Sequence, residues 1–242
     1  MIFLNSTKSN AVPIFVLILC CLAFLLFSFI SCDRIGKMAS ALARETPRTI
    51  VVDAGHGGED GGAVSKSGVS EKNINLAVAE DLRQLLQASG FRVVMTRTSD
   101  VSISDDLDTI RERKTSDLHN RMKIVESQGD CVFVSIHQNQ FPQSRYHGAQ
   151  VFYSGNTDSS KSLAEAIRGR IVGMLQKDNT RQTKPATSSI YLLYHAKVPA
   201  VLVECGFLSN DAEAALLQDE AYQKKMAFAI YCGLLDFCTG KA

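Results

Sequence analysis

The chain has 242 residues, enough for one well-buried domain and weak grounds for more. Its 26 basic and 25 acidic residues leave a net charge of +1, which argues against a nucleic-acid partner held by a basic face. Seven cysteines without a CxxC spacing argue against a structural zinc knot and against a disulfide framework.

The first 32 residues are a separate object. From Ala11 to Cys32 the chain reads AVPIFVLILCCLAFLLFSFISC, without a charge. A run of this length spans a bilayer as a helix. It exceeds the apolar core of about 7–15 residues in a cleaved signal peptide. The expectation is an uncleaved N-terminal anchor. The alternatives are a cleaved signal peptide and a lipoprotein signal ending at Cys32, for which Phe29 stands where Leu is usual. All three deliver the remaining chain outside the cytoplasm. Lys8 precedes the segment, while Arg34, Lys37 and Arg44 follow it. The positive-inside rule mildly favours the opposite orientation, so the outward assignment rests on function. Residues 33–47 read as a linker and residues 48–242 as one domain.

Elements follow in order. TIVVDAG at 49–55 reads as a strand. Residues 71–90 place Ile74, Ala77, Val78, Leu82, Leu85 and Leu86 at helical spacing, and Gly90 suits a stop. FRVVMTR at 91–97 is a second strand, and the polar stretch after it runs into a helix around 108–127. Strands follow at 131–137 (CVFVSIH) and 148–154 (GAQVFYS), then a helix at about 158–176 and a loop at 177–189. A fifth strand, AVLVECG at 200–206, precedes helices near 211–217 and 219–238. This alternation predicts a single α/β domain with a twisted, mostly parallel sheet flanked by helices on both faces. Cys131 and Cys205 sit in strand-like runs as small hydrophobes, and Cys232–Cys238 is the one pair spaced for a disulfide.

The segment DAGHGGEDGG at 53–62 directly follows the first strand. A Walker cradle needs Gly before its Lys-Ser, but Ser65 precedes Lys66-Ser67. A dinucleotide GxGxxG begins at Gly55 and Gly57 and fails at Asp60. A metal site fits better. His56, His137 and Glu204 each end a strand, and Glu71 begins the helix after the glycine loop. In an open α/β sheet, sites form outside the carboxyl ends of strands. Two histidines and one carboxylate make a zinc triad with an open fourth position, and the other carboxylate is left as general base.

Each residue also has a plain explanation. A lone strand-end histidine is more often a hydrogen-bonded surface residue, and Glu71 alone is a first-turn carboxylate favoured by the helix dipole. Glu204 is harder to dismiss, since burying a carboxylate within an apolar run is costly. His119, His147 and His195 read as surface residues. Asp53 and Asp60 are either partners of metal-bound histidines or turn formers.

Five blocks, VVDAGHGGEDGGA at 51–63, SEKNINLAVAEDLRQLL at 70–86, MTRTSD at 95–100, VSIHQN at 134–139 and PAVLVECGFLSN at 199–210, together resemble the zinc-dependent N-acetylmuramoyl-L-alanine amidases of the amidase-3 type. The resemblance covers residues 48–238. RERKTSDLHNRMKIV at 111–125 and HGAQVFYS at 147–154 are similar to the spore-cortex, germination-specific branch. It implies His56, Glu71 and His137 as zinc ligands, Glu204 as the catalytic glutamate, and hydrolysis of the bond between N-acetylmuramic acid and L-alanine in cortex peptidoglycan. The freed muramic acid is then the substrate of a separate deacetylase that forms muramic-δ-lactam. The resemblance also implies an extracytoplasmic enzyme in the forespore intermembrane space or cortex. With neither an autoinhibitory insertion nor a wall-binding repeat in the sequence, an activating or localising partner protein is expected. Departures are Ala54, where the family often has Pro, Gln138 and Gln140 after the second histidine, and Glu126, near which the family's Asn is replaced. They touch no ligand. The rival functions are a vegetative-wall amidase, a zinc peptidase of stem peptides and a non-enzymatic wall-binding module.

Overall fold

Strand β1 (Thr49–Ala54) is buried at all six positions, which explains its uninterrupted apolar run. The computed structural model describes residues 48–241, so the expected anchor at 1–32 and linker at 33–47 lie outside the described residues. β1 pairs in parallel with β2 (Arg92–Met95) on one side and β3 (Cys131–Asn139) on the other. β3 pairs in parallel with β6 (Ala200–Phe207). β6 runs antiparallel to β4 (Gln150–Tyr153), which pairs with the two-residue β5 (Lys184–Pro185). The sheet order is β2-β1-β3-β6-β4-β5. The connection after β1 leads to the β2 edge and the one after β3 leads towards the opposite edge, so the switch point of the sheet lies between β1 and β3, where ligands bind in open α/β sheets.

Helices cover both faces, as the strand–helix alternation predicts. Ile50, Val52, Val132, Val134, Val201 and Val203 face the larger core. It is closed by α1 (Glu71–Ala88), α3 (Asp158–Met174), α5 (Asp211–Gln218) and α6 (Glu220–Cys238). Val51, Phe133 and Leu202 alternate to the other face, against Met122 and Val125 of α2 (Ile110–Glu126) and Leu192 and Leu193 of α4 (Tyr191–His195). α1 presents Ile74, Val78, Leu82 and Leu86 as one buried stripe. α2 starts at a capping box, in which Thr109 and Glu112 satisfy each other's backbone N–H.

Three details depart from the sequence expectations. β4 is antiparallel, which the expected "mostly parallel" allows but does not specify. β5 lies within the expected loop, and α4 was not anticipated, because two and five residues are too few to display a period. Cys232 and Cys238 both fall on α6. Six helical steps separate them by about 9 Å along the axis, too far for a disulfide.

Candidate metal centre and active site

Beyond Ala54 the chain leaves the sheet through a tight turn closed by Gly57 and Asp60, which exchange backbone hydrogen bonds of 2.9 and 3.1 Å. His56 stands at the head of this turn with φ of 61°, the left-handed region uncommon for a side-chain-bearing residue. Gly55, just before it, packs against the His137 ring so closely that a Cβ there would overlap the imidazole.

The turn brings the two histidines together, with ring centroids 4.9 Å apart. Glu71, the first residue of α1, lies between them. Its Oε1 is 2.9 Å from His137 Nδ1 and 3.4 Å from His56 Nε2. One donor atom from each of His56, Glu71 and His137 lies within 4.8 Å of the others. The Glu71 carboxylate is held in place from behind. Oε2 accepts from Ala63 N at 2.8 Å, and Oε1 accepts from Asn75 Nδ2 and Gln138 N at 3.1 and 2.9 Å. Asp60 Oδ2 lies 2.8 Å from His56 Nδ1. That contact keeps a proton on Nδ1 and points Nε2 towards Glu71, the ring orientation a metal-binding histidine requires.

The electrostatics fit a cation. Burial raises the cost of the Glu71 charge, yet hydrogen bonds with His137 and His56 hold its carboxyl well below the usual range. Burial opposes protonation of His56, but Asp60 and Glu71 outweigh it and raise the imidazole to about 10. Without a metal this cluster therefore keeps a proton where a cation would sit. Two imidazoles and a carboxylate, one imidazole backed by a second carboxylate, form a donor set suited to zinc.

Glu204 stands beside this group, paired in register with His137 across β3 and β6. Its Oε2 is buried without a hydrogen-bond partner. Burial, helped by the Glu71 charge and opposed by His137 and His56, pushes its carboxyl up to about 7. A buried carboxylate oxygen left unpaired costs stability and marks a candidate functional position.

All four residues singled out in the sequence lie close together, but β3 runs on to Asn139 and β6 to Phe207. His137 and Glu204 therefore lie within their strands and do not end them, because the apolar run that marks a strand in the sequence stops before the backbone pairing does. Asp60 contacts a histidine, whereas Asp53 does not. Asp53 is a buried strand residue that accepts from Thr96 Oγ1, Ser135 Oγ and Arg121 Nη1 at 2.7, 2.5 and 2.5 Å. His119, His147 and His195 are exposed, as expected. The sequence reading missed Asn75 and the structural role of Gln138, whose Nε2 donates to Asn75 Oδ1 at 3.1 Å. Asn75 lies four residues after Glu71, hence on the same helix face, and that spacing was the available signal.

Comparison with known proteins places the chain in a family. A family model described as N-acetylmuramoyl-L-alanine amidase, amidase-3, matches residues 50–236. The germination-specific N-acetylmuramoyl-L-alanine amidase of Bacillus subtilis (strain 168) is 37% identical over 195 residues, covering 80% of this chain and 81% of that protein. The CwlD amidase from Clostridioides difficile, solved in complex with the GerS lipoprotein, superposes with a TM-score of 0.77 at 44% identity, over 80% of this chain and 99% of that one. AmiC2 of Nostoc punctiforme superposes with a TM-score of 0.68 at 30% identity, over 79% and 97% of the two chains. A family match running from the first strand to the last helix leaves one conclusion: this chain belongs to the amidase-3 family of N-acetylmuramoyl-L-alanine amidases.

Proposed function

We propose that this chain cuts the amide between the lactyl group of N-acetylmuramic acid and L-alanine in peptidoglycan, with zinc held by His56, Glu71 and His137 and with Glu204 as the proton-transferring group. The observation that carries it is the convergence of three donor atoms within 4.8 Å beside a buried, unpartnered Glu204 oxygen. Bound there, zinc supplies Lewis acidity and lowers the pKa of a bound water to about 7.

The chain's own residues do the rest. His56 and His137 would each offer a ring nitrogen to the metal, and Asp60 keeps a proton on His56 Nδ1, away from the donor face. Glu71 supplies negative charge from a fixed carboxylate. Glu204, with a carboxyl near 7, takes a proton at neutral pH and returns it to the departing L-alanine amine. The same group serves as base and then as acid.

The similarity to a germination-specific amidase supports spore-cortex peptidoglycan as the substrate and a role in germination, upstream of muramic-δ-lactam formation. That CwlD was solved with a lipoprotein supports a protein partner for this chain. An extracytoplasmic location follows from the substrate. The domain at 48–242, delivered by an anchor or signal at 1–32, is part of this proposal. No helix among the described residues is long and apolar enough to cross a membrane.

The test is product analysis. Full-length protein in detergent is incubated with cortex or vegetative peptidoglycan, with zinc or with a chelator. Zinc-dependent release of intact stem peptides beginning with L-alanine is expected, with cortex preferred. Release of free amino acids instead would make it a peptidase, and preference for vegetative wall would remove the germination role.

A further inference from the structure

We propose that Arg97 and Arg121 form a clasp that holds His56 and Glu71 in their metal-competent positions, and so set how tightly the site holds its metal. This rests on the metal reading above. The two arginines bond the main chain beside the candidate metal donors, and they are positioning residues.

Both guanidiniums are buried beneath the glycine turn, with 3% and 2% exposure. Between them they take three successive carbonyls. Arg97 Nε and Arg121 Nη1 donate to Ala54 O at 2.8 and 2.9 Å. Arg97 Nη2 donates to Gly55 O at 3.0 Å. Arg121 Nη2 donates to His56 O at 2.8 Å. The last bond fixes the peptide plane of the one non-glycine residue with positive φ among the described residues. Such a conformation persists only where its surroundings over-determine it.

Each arginine also ties the turn to a second ligand-bearing element. Arg97 Nη2 bonds Lys72 O at 2.8 Å, in the first turn of α1 and next to Glu71. Arg121 Nη1 bonds Asp53 Oδ1 at 2.5 Å, and Asp53 in turn accepts from Ser135 of β3, the strand that carries His137. Arg97 and Arg121 thus join the His56 turn to the elements carrying Glu71 and His137, the latter through Asp53 and Ser135.

Plain structural capping of a strand end does not require this arrangement. Two buried cations under one loop repel: burial and the neighbouring Arg121 charge hold the Arg97 guanidinium below its usual range. Asp53 and Asp117 supply the compensating charge, with Arg121 Nε on Asp117 Oδ2 at 2.5 Å. The planar, forked guanidinium matters here. A lysine keeps the charge opposite Asp53 but cannot bond Asp53, Asp117 and two carbonyls together.

The test compares the full-length protein with Arg121→Lys, Arg97→Lys and the remote control Arg170→Lys, whose residue pairs with Asp236. Zinc dissociation constants are measured by competition with a chromophoric chelator, alongside metal-free melting temperatures and activity at increasing zinc. Expected is a zinc affinity 10–100-fold weaker in both clasp variants. The control keeps wild-type affinity, and excess zinc restores kcat to within a few-fold of wild type. Folded clasp variants that bind zinc as wild type does overturn the proposal, even if they melt earlier. If Arg121→Lys does not fold, Arg97→Lys decides alone. Wild-type protein that fails to bind zinc overturns the metal reading instead, and the clasp falls with it.

Discussion

Asp60 and His56 are four residues apart, and their carboxylate and Nδ1 meet at 2.8 Å across the glycine turn. Lys114 holds the other Asp60 oxygen at 2.9 Å, so the carboxylate cannot swing away freely. Replacing Asp60 with Ala frees both the tautomer and the ring angle of His56. Zinc affinity should fall about 10–100-fold while the fold is kept. Chelator competition together with circular dichroism checks this. Unchanged affinity would mean that the ring is oriented by its packing alone.

Glu204→Gln separates binding from chemistry. The amide is nearly isosteric but cannot take a proton. Turnover should drop by about 10²–10⁴-fold, or more if no other group substitutes. Zinc content, measured by mass spectrometry of the metal, should stay at wild-type level. The metal-free variant should melt close to wild type, because the amide keeps the shape and removes a charge that burial disfavours. A variant that loses zinc along with activity would make Glu204 a ligand and not a base.

Gly62 has φ of 67°, and a Cβ there would lie 2.6 Å from Glu71 Oε2 and 2.7 Å from His56 Cδ2. Gly62→Ala therefore strains the backbone and pushes two candidate ligands apart. Stability should fall by at least about 1 kcal/mol, and zinc affinity should fall with it. Gly68→Ala is the control: φ is 84°, but nothing lies within 4 Å of its Cβ. It should lose stability and keep its zinc.

Acid should weaken the fold through Asp53. Burial works against its charge, but Arg121, His137 and the hydroxyls of Ser135 and Thr96 bring the carboxyl down to about 2 from an ordinary 3.8. The folded value is the lower one. The contribution is thus complete above pH about 4 and is lost as pH falls towards 2, worth about 2 kcal/mol. Asp53→Asn should cost about 3–5 kcal/mol at neutral pH, because it leaves the Arg121 charge buried with one acidic partner fewer. Its stability should also vary less between pH 4 and 2. Urea titrations at several pH values give both numbers.

The sheet centre was legible in the sequence because parallel strands covered on both faces need continuous apolar runs, and β1, β3 and β6 have them. His56, His137 and Glu204 stood out because each interrupts or ends such a run. Arg121 was illegible for the opposite reason. It sits in RERKTSDLHNRMKIVE, a helix so rich in charge that one buried guanidinium looks like its solvated neighbours. The clue lay elsewhere, in Asp53. A carboxylate within TIVVDAG demands a cation, and only the tertiary structure says which. α4 and β5 were hidden by their shortness, and the antiparallel direction of β4 is set by its connection, which local pattern does not encode.

β6 is the last strand in the chain, yet it lies between β3 and β4. His56, Glu71 and His137 all precede it, so a chain made from its N-terminus carries the candidate metal donors long before it carries Glu204. Seating β6 needs contacts between distant segments, which form slowly. Under the proposed function, hydrolytic competence therefore waits for β6. A chain clipped before Ala200 carries the candidate donor residues in its sequence without the proposed proton-transferring carboxylate.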